Sequence, residues 1–308
     1  MYKLFLLFLL FLFQTIFLGY ADYVNVSSCQ TINSTTLAGT DEVRLNADIS
    51  NYNSGDCFDI ETTNFTFDCQ GHIIDGTDTA PSSGIHFFSF NSNNVSAKNC
   101  IITDFNHGVD FHFASNNTIL NMTLTGNLAS GIRHWFSSGP NYVINSSISS
   151  NLYGVYFFGF NENQHYFNTN ISENSNGIAF AGNYESNNTF TNISLVNNTN
   201  YEIIFAPSIF NTTNTTFQDS YLGNFSKIEN SNWSLNTAFF YDNTFLSDTA
   251  PTNECFDLEN TTCNVPFPAI ISISESSLFP IQGVFSLIIL SFSLLFFFSF
   301  TSLCANEN

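Results

Sequence analysis

The sequence has few charged residues and almost no basic ones. Only 10% of its 308 residues are Asp, Glu, Lys or Arg, and five Lys and Arg stand against 25 Asp and Glu, for a formal net charge of −20. Neutralising a run of phosphates requires a basic surface, so this composition excludes nucleic acid as a partner. The acidic balance fits either a solvated surface or a Ca²⁺ site, and we predict no other cofactor.

Methionine and tryptophan are scarce, with two of each, whereas phenylalanine alone supplies 37 residues. Asn, Thr and Ser fill the polar positions in place of charged side chains. Aromatic residues and Thr favour strands, and Asn favours turns, so the composition predicts an all-β chain. We expect no long helix before Ile281.

The N-terminus has the pattern of a secretory signal peptide over residues 1–21. Lys3 provides a short positive region, an apolar stretch follows, and the small residues Gly19 and Ala21 provide a cleavage site. We therefore expect the mature chain to begin near Asp22. The alternative is a signal that is not cleaved and anchors the chain.

A second apolar segment, residues 281–303, contains no charged residue and is long enough to span a bilayer as a helix. It predicts a single-pass cell-surface protein whose main domain is extracellular, with residues 304–308 as a short tail. Two alternatives stay open, because a lipid-anchor signal or a sorting signal would remove this segment.

Seven cysteines are present, and Cys304 lies at the membrane end. The other six form an even set in an exported chain, which indicates disulfide bonds. We predict the pairs Cys29–Cys57, Cys69–Cys100 and Cys255–Cys263. No CxxC pair occurs, so we expect no zinc site built from cysteines.

An internal repeat determines the predicted fold. A Gly followed by Ile or Val recurs at Gly84, Gly108, Gly131, Gly154 and Gly177, at spacings of 24, 23, 23 and 23 residues. This period is too short for two-helix repeats and fits one turn of a β-solenoid. An aliphatic column and two Asn columns keep the same period: Ile102, Leu124, Ile148, Ile171 and Leu195; Asn99, Asn121, Asn145, Asn168 and Asn192; Asn127, Asn151, Asn174 and Asn198.

The stacking of successive turns assigns a role to each column. Aliphatic columns fill the interior, and stacked Asn side chains hydrogen-bond along the axis. The repeated Gly is expected to adopt a positive φ at the corner that enters the next strand.

Asn-x-Ser/Thr sequons recur along the chain, and we expect turn sites such as Asn94, Asn116 and Asn187 to carry glycans in preference to sites in the Asn columns.

The segment Cys57-Phe58-Asp59-Ile60, the stretch NFTFDCQGHIIDG at residues 64–76 and the Gly-Ile units resemble right-handed parallel β-helix surface proteins. These belong to the pectin-lyase-like superfamily and include NosD-like, carbohydrate-binding and sugar-hydrolase domains. The resemblance implies a right-handed β-helix over residues 57–217. We expect the flanking segments to form an N-terminal cap at 22–56 and a C-terminal cap at 218–263, and Pro266, Pro268 and a cluster of Ser residues indicate a stalk at 264–280.

Alternation along each strand separates an inner from an outer face. Phe87, Phe111, Phe157, Phe180 and Phe205 are predicted to point inward, and His134 takes the same place in its turn as a core residue. The outer face then holds the candidate ligand-binding residues His86, Asp110, His112, Arg133, Trp135 and Tyr156. Aromatic rings pack on sugar faces, and Arg133 is expected to clamp an acidic or neutral saccharide. The alternative is a packing surface under a loop or a neighbouring chain.

We therefore expect a surface module for adhesion, envelope structure or saccharide binding, with cell-surface or extracellular glycans as partners. The alternative is a polysaccharide lyase or glycoside hydrolase. We predict no catalytic residues, because Asp110 lacks a second carboxylate in its column. A metal-loading role, which only the NosD-like resemblance suggests, lacks the Met or His motif that copper requires.

Overall fold

The computed structural model describes residues 23–78, 81–88, 91–182, 184–205, 212–223, 228–230, 238–241 and 244–245. The predicted signal peptide, stalk, membrane helix and tail lie outside these residues, as do Cys255 and Cys263. No helix in the described ranges is long and apolar enough to cross a membrane.

The described strands form three parallel sheets. Sheet A runs in the order β1 (Tyr23–Val26), β3 (Glu42–Leu45), β5 (Phe65–Asp68), β8 (Val95–Lys98), β11 (Thr118–Leu120), β14 (Ser138–Ile144), β17 (Phe160–Phe167), β21 (Thr189–Thr191), β25 (Thr215–Gln218) and β28 (Ala238–Tyr241), with β20 (Tyr184–Ser186) and β24 (Thr212–Thr213) beside it. Sheet B runs in the order β2 (Gln30–Ile32), β4 (Phe58–Ile60), β7 (Ser83–Phe88), β10 (His107–His112), β13 (Ser130–Trp135), β16 (Tyr153–Phe158), β19 (Asn176–Phe180), β23 (Tyr201–Phe205) and β27 (Ile228–Asn230). Sheet C runs in the order β6 (Ile73–Asp75), β9 (Ile101–Thr103), β12 (Thr123–Thr125), β15 (Ser147–Ser149), β18 (Asn170–Ser172), β22 (Ser194–Val196), β26 (Tyr221–Leu222) and β29 (Thr244–Phe245).

From β5 onward the chain passes from sheet A to sheet C to sheet B in each turn, whereas the first two turns have described strands only in sheets A and B. Every strand pairs in parallel with the equivalent strand one turn away. The protein is an all-β parallel β-solenoid, as predicted, and its right-handed winding stays a prediction. The one helix in the described part is α1 (Ser34–Leu37). The ladder of strands starts within the predicted N-terminal cap and continues to β29, so it extends beyond residues 57–217 on both sides.

The interior is filled by the predicted apolar columns. In sheet B, the predicted inward phenylalanines and His134 are at most 1% exposed. Their rings stack along the axis, with centroids 4.8 Å apart between Phe87 and Phe111 and 4.9 Å apart between Phe111 and His134. The aliphatic column of sheet C is also fully buried, so the interior prediction is confirmed.

The two Asn columns lie on opposite sides of the wall. The column from Asn127 to Asn198 is buried, and in it the side-chain oxygen of Asn151 accepts bonds from the backbone and side-chain nitrogens of Asn127 at 2.9 and 3.0 Å. The other column, which includes Asn121, Asn145 and Asn192, occupies the sharp turn from sheet A to sheet C, with φ of 50–54° and exposed side chains. The sequons in this second column therefore lie at the surface.

The glycines of the Gly-Ile units do not adopt a positive φ, so that expectation was wrong. They lie inside the strands of sheet B, where the sheet C column approaches closely. A Cβ at Gly131 would stand 2.4 Å from Cγ2 of Ile148, and one at Gly154 would stand 2.5 Å from Cγ2 of Ile171. Glycine is required here because there is no room for a side chain.

Two predicted disulfides are present. Cys29 is bonded to Cys57 and Cys69 to Cys100, and each bond joins residues of neighbouring turns at the N-terminal end. The Cys29–Cys57 bond links the first turn, which lacks a neighbour on one side, to the second turn and so stabilises the end of the ladder. The Cys69–Cys100 bond links the third turn to the fourth.

Candidate functional site

The outer face of sheet B carries one column of polar side chains, which we call the charged column. The strand register aligns Asp59 with His86, His86 with Asp110, and Asp110 with Arg133, and Tyr156 follows. Farther along, the same position is occupied by Ala179 and Ile204. In the last strand, β27, the register aligns Glu229 with Ile204, so two apolar positions separate the polar run from Asp59 to Tyr156 from the end of the column.

Asp110 and Arg133 form a tight ion pair across neighbouring strands. Nε of Arg133 donates to Oδ1 of Asp110 at 2.8 Å, and a terminal guanidinium nitrogen donates to Oδ2 at 2.5 Å. Asp110 is only 1% exposed, because its neighbours cover it on the outer face. The pair is bidentate and largely shielded from water, so the charge of Arg133 is neutralised within the protein.

His86 lies between three carboxylates. Its Nδ1 is 2.8 Å from Oδ1 of Asp59 and 3.1 Å from Oδ2 of Asp56, and its Nε2 is 3.6 Å from Oδ2 of Asp110. Burial alone would lower the pKa of His86, but the bonds to Asp56 and Asp59 and the charge of Asp110 outweigh burial and raise this pKa to about 10. In the absence of another cation, the ring is an imidazolium at neutral pH.

A second outer column runs beside the first and is aromatic. Phe88, His112, Trp135 and Phe158 are aligned by the same register. His112 stacks on Trp135 with ring centroids 4.4 Å apart and planes 3° apart, and the guanidinium of Arg133 lies 4.7 Å from the Trp135 ring centre. Burial lowers the pKa of His112, so its imidazole is neutral at pH 7.

A third row of rings lies where sheet B leads into sheet A. Phe113, Phe136, Phe160 and Tyr184 follow one another with centroids 5.4, 5.7 and 5.2 Å apart. Phe160 and Tyr184 are 43% and 42% exposed. Together with the second column, this row forms a partly exposed surface of eight rings, which we call the aromatic platform.

The six residues predicted for the outer face all lie on it. His86, Asp110, Arg133 and Tyr156 belong to the charged column, and His112 and Trp135 belong to the aromatic platform. His86 and Asp110 are more buried than the prediction of an open face implied. Because Arg133 is paired with Asp110, it is not a free cationic clamp for an acidic ligand.

The sequence reasoning missed Asp56 and Asp59, and the prediction that Asp110 lacks a second carboxylate in its column was wrong. The predicted column begins at His86, although Phe58-Asp59-Ile60 repeats the apolar–polar–apolar pattern of Ile85-His86-Phe87 one turn earlier. The third aromatic row was also missed, although its members recur at 23- and 24-residue spacing.

Another histidine, His107, lies close to the charged column but is fully engaged in structure. Its Nδ1 is 2.7 Å from the hydroxyl of Ser130, and its Nε2 is 3.0 Å from the side-chain nitrogen of Asn106. Burial and the nearby charge of Arg133 lower the pKa of His107 to about 4. This residue supports the start of β10 as a neutral imidazole.

Two solved structures similar to this chain are those of the pectin methylesterase from Aspergillus niger, one in deglycosylated form and one in penultimately deglycosylated form. The identities are 13% and 12%, the TM-score is 0.46 for each, and the alignments cover 76% of this chain and 91% of the enzyme. At this level the likeness carries no functional argument, and the fold assignment rests on the strand pairing. No protein-family model matches the chain, and no curated protein matches it in sequence.

Proposed function

We propose that the chain is an exported saccharide-binding β-solenoid that holds a neutral sugar chain on the outer face of sheet B. The observation that carries the proposal is the aromatic platform, in which eight rings lie beside a column of hydrogen-bonding groups. Aromatic rings pack against the C–H faces of sugars, while carboxylates and imidazoles bond to hydroxyls. The two disulfides support export to an oxidising compartment.

The charges of the site favour a neutral ligand over an acidic one. Arg133 is already paired with Asp110, and the partly exposed carboxylates of Asp56 and Asp59 border the site. A uronic acid would meet these carboxylates and the strongly negative chain, whereas neutral hydroxyls can donate to them. Anchoring at the cell surface through residues 281–303 is part of the proposal and rests on the sequence pattern.

Binding to an array of neutral and acidic oligosaccharides, followed by calorimetry on the best ligand, tests this proposal. Trp135→Ala should weaken binding about 10- to 100-fold if the ring is a central anchor. Tyr142→Ala is the matched control, because Tyr142 is half-buried and stacks on His165 on sheet A, away from the site. Equal affinity in Trp135→Ala and wild type, with both proteins folded, would show that the platform is a packing surface.

A carbohydrate-active enzyme is the second candidate, and the three carboxylates around His86 favour it. Acid–base chemistry on a glycosidic or ester bond requires such a set of titratable groups beside a bound sugar. Incubation of the bound oligosaccharide with the protein, followed by chromatography of the products, distinguishes the two candidates. Turnover that is lost in Asp59→Asn, with binding only weakened, would establish the enzyme; a ligand that is bound and never changed would reject it.

A further inference from the structure

The imidazole of His86 has different surroundings on its two sides. On the Nδ1 side, the ring nitrogen bonds to the carboxylates of Asp59 and Asp56. On the other side, Nε2 is buried and has no hydrogen-bond partner among the described residues, and the nearest carboxylate oxygen, of Asp110, is 3.6 Å away. Burying a nitrogen without a hydrogen-bond partner costs free energy, so we expect a bound ion or ligand atom to contact Nε2 on this side.

Two further groups converge on this nitrogen. Ligand atoms of His86, Asp110 and His112 all lie within 4.8 Å of one another. Ligands bound to one ion at about 2.0 to 2.2 Å are separated by roughly 3 to 4 Å, so small side-chain movements would bring the three onto a common centre. We propose that His86, Asp110 and His112 form a binding site for a first-row divalent transition-metal ion of the zinc type.

The donor set selects this class of ion. Two imidazole nitrogens and one carboxylate oxygen suit zinc and its neighbours, whereas Ca²⁺ and Mg²⁺ prefer oxygen ligands throughout. The calcium site that the acidic composition allowed is therefore not the one this geometry favours. Three protein ligands leave a fourth position for water or a ligand oxygen.

The residues that hydrogen-bond to the proposed metal ligands are of the kind that supports a metal site. A metal-binding histidine usually donates its other ring N–H to a carboxylate, and Asp59 and Asp56 accept from Nδ1 of His86 in this way. Arg133 holds the carboxylate of Asp110 in place through two bonds. These partners fix the tautomer of His86 and the orientation of the Asp110 side chain.

The charge of the cluster also fits a divalent ion. Asp56, Asp59 and Asp110 contribute three negative charges, and Arg133 contributes one positive charge. A divalent ion bound by neutral imidazoles would bring this group to zero net charge. Because the carboxylate of Asp110 is buried, a cation beside it offsets part of the cost of burying that charge.

Calorimetry of the full, untagged chain with ZnCl₂, after removal of metals with a chelator, tests the proposal directly. We expect one equivalent of Zn²⁺ to bind, with no comparable heat from CaCl₂. His112→Phe should weaken Zn²⁺ binding at least about tenfold, because it keeps the stacking on Trp135 and removes one ligand. Asp59→Asn should weaken binding about 10- to 100-fold through the orientation of His86.

His165→Phe is the matched control, since His165 is a half-buried histidine that stacks on Tyr142 of sheet A. It should bind Zn²⁺ like the wild type, and circular dichroism should show all variants folded. A wild-type chain that binds no Zn²⁺, or equal affinities in His112→Phe and wild type, would overturn the proposal. The site does not depend on saccharide binding, so either proposal can fail while the other stands.

Discussion

The four strands β7, β10, β13 and β16 have an inner face on which an aromatic ring recurs from turn to turn and an outer face on which the residue type changes. On the inner face each turn presents an aromatic ring at the same place, and the rings stack at nearly constant spacing. On the outer face the equivalent column changes from His86 to Asp110 to Arg133 to Tyr156. Packing selects uniform columns, and variation along a column marks positions that packing does not determine.

Two histidines show how far this difference reaches. Burial in the inner stack lowers the pKa of His134 to about 3, and its Nε2 lies 2.7 Å from the hydroxyl of Tyr166. On the outer face, the carboxylates around His86 raise its pKa to about 10 against the opposing effect of burial. The same side chain is a neutral core residue on one face and a charged or ligand-binding group on the other.

The largest difference between the faces should appear in stability. Phe157 is fully buried in the inner stack, and its strand neighbour Phe158 is 43% exposed on the outer face. We expect Phe157→Ala to lower the free energy of unfolding by about 3 to 5 kcal/mol and Phe158→Ala by less than about 1 kcal/mol. Urea unfolding measures both, and equal losses would remove the distinction between the faces.

The next largest effect is expected in the pH dependence of stability, to which His134 on the inner face contributes. The folded pKa of His134, about 3, lies below its usual value of 6.5, so the unfolded chain takes up a proton first as the pH falls. The stability contributed by neutral His134 is therefore complete above about pH 6.5 and is lost progressively toward pH 3. Between pH 7 and pH 4, the wild type should lose about 3 kcal/mol relative to His134→Phe.

The double variant His134→Phe/Tyr166→Phe controls for the Tyr166 hydroxyl, which the single change leaves buried without its partner. Both variants should show the shallower pH dependence, and the double variant should regain stability at pH 7. His107, whose pKa is about 4, also lowers the free energy of unfolding as the pH falls. Because His107 is present in all three proteins, it does not affect the comparison between them. Parallel stability curves for wild type and variants would contradict a neutral, buried His134.

A smaller effect is expected at a buried carboxyl group. Glu185 is fully buried, and burial raises its pKa well above 4.5 despite the bond from Asn161 at 3.2 Å. A raised pKa means that its contribution to stability is present below about pH 4.5 and is lost as the pH rises. Glu185→Gln should therefore be more stable than the wild type at pH 7 and no more stable at pH 4. Thermal unfolding at both pH values measures this, and a loss at pH 7 would mean that the carboxylate is needed.

The features that were predicted correctly from the sequence are those that the repeat determines. A period of about 23 residues combined with strand alternation aligns every residue with its equivalent one turn away, which placed the inner phenylalanines and the outer His86, Asp110 and Arg133 correctly. The predicted pairs Cys29–Cys57 and Cys69–Cys100 are present and each joins neighbouring turns.

What the sequence did not predict depends on contacts between different columns. Gly131 is required by the close approach of Ile148, which a repeat alone cannot distinguish from a need for positive φ. The Asn145 column faces outward because its residues form the turn between two sheets. In the third aromatic row, Phe113 and Phe136 lie in connections between sheets B and A, and Phe160 and Tyr184 begin strands of sheet A. Spacing alone could not show that this row adjoins the second column, because the path from one sheet to the next depends on packing between neighbouring turns.

The most direct test of the central claim, that the outer face of sheet B is a ligand site, is the fluorescence of Trp135. The chain has two tryptophans, and Trp233→Phe, a change outside the described residues, leaves Trp135 as the sole indole. Titration with the best neutral oligosaccharide should shift its emission to shorter wavelength and reduce quenching by acrylamide, with saturation at the concentrations that calorimetry gives. Binding that calorimetry detects without any change in Trp135 emission would contradict the claim and place the ligand elsewhere.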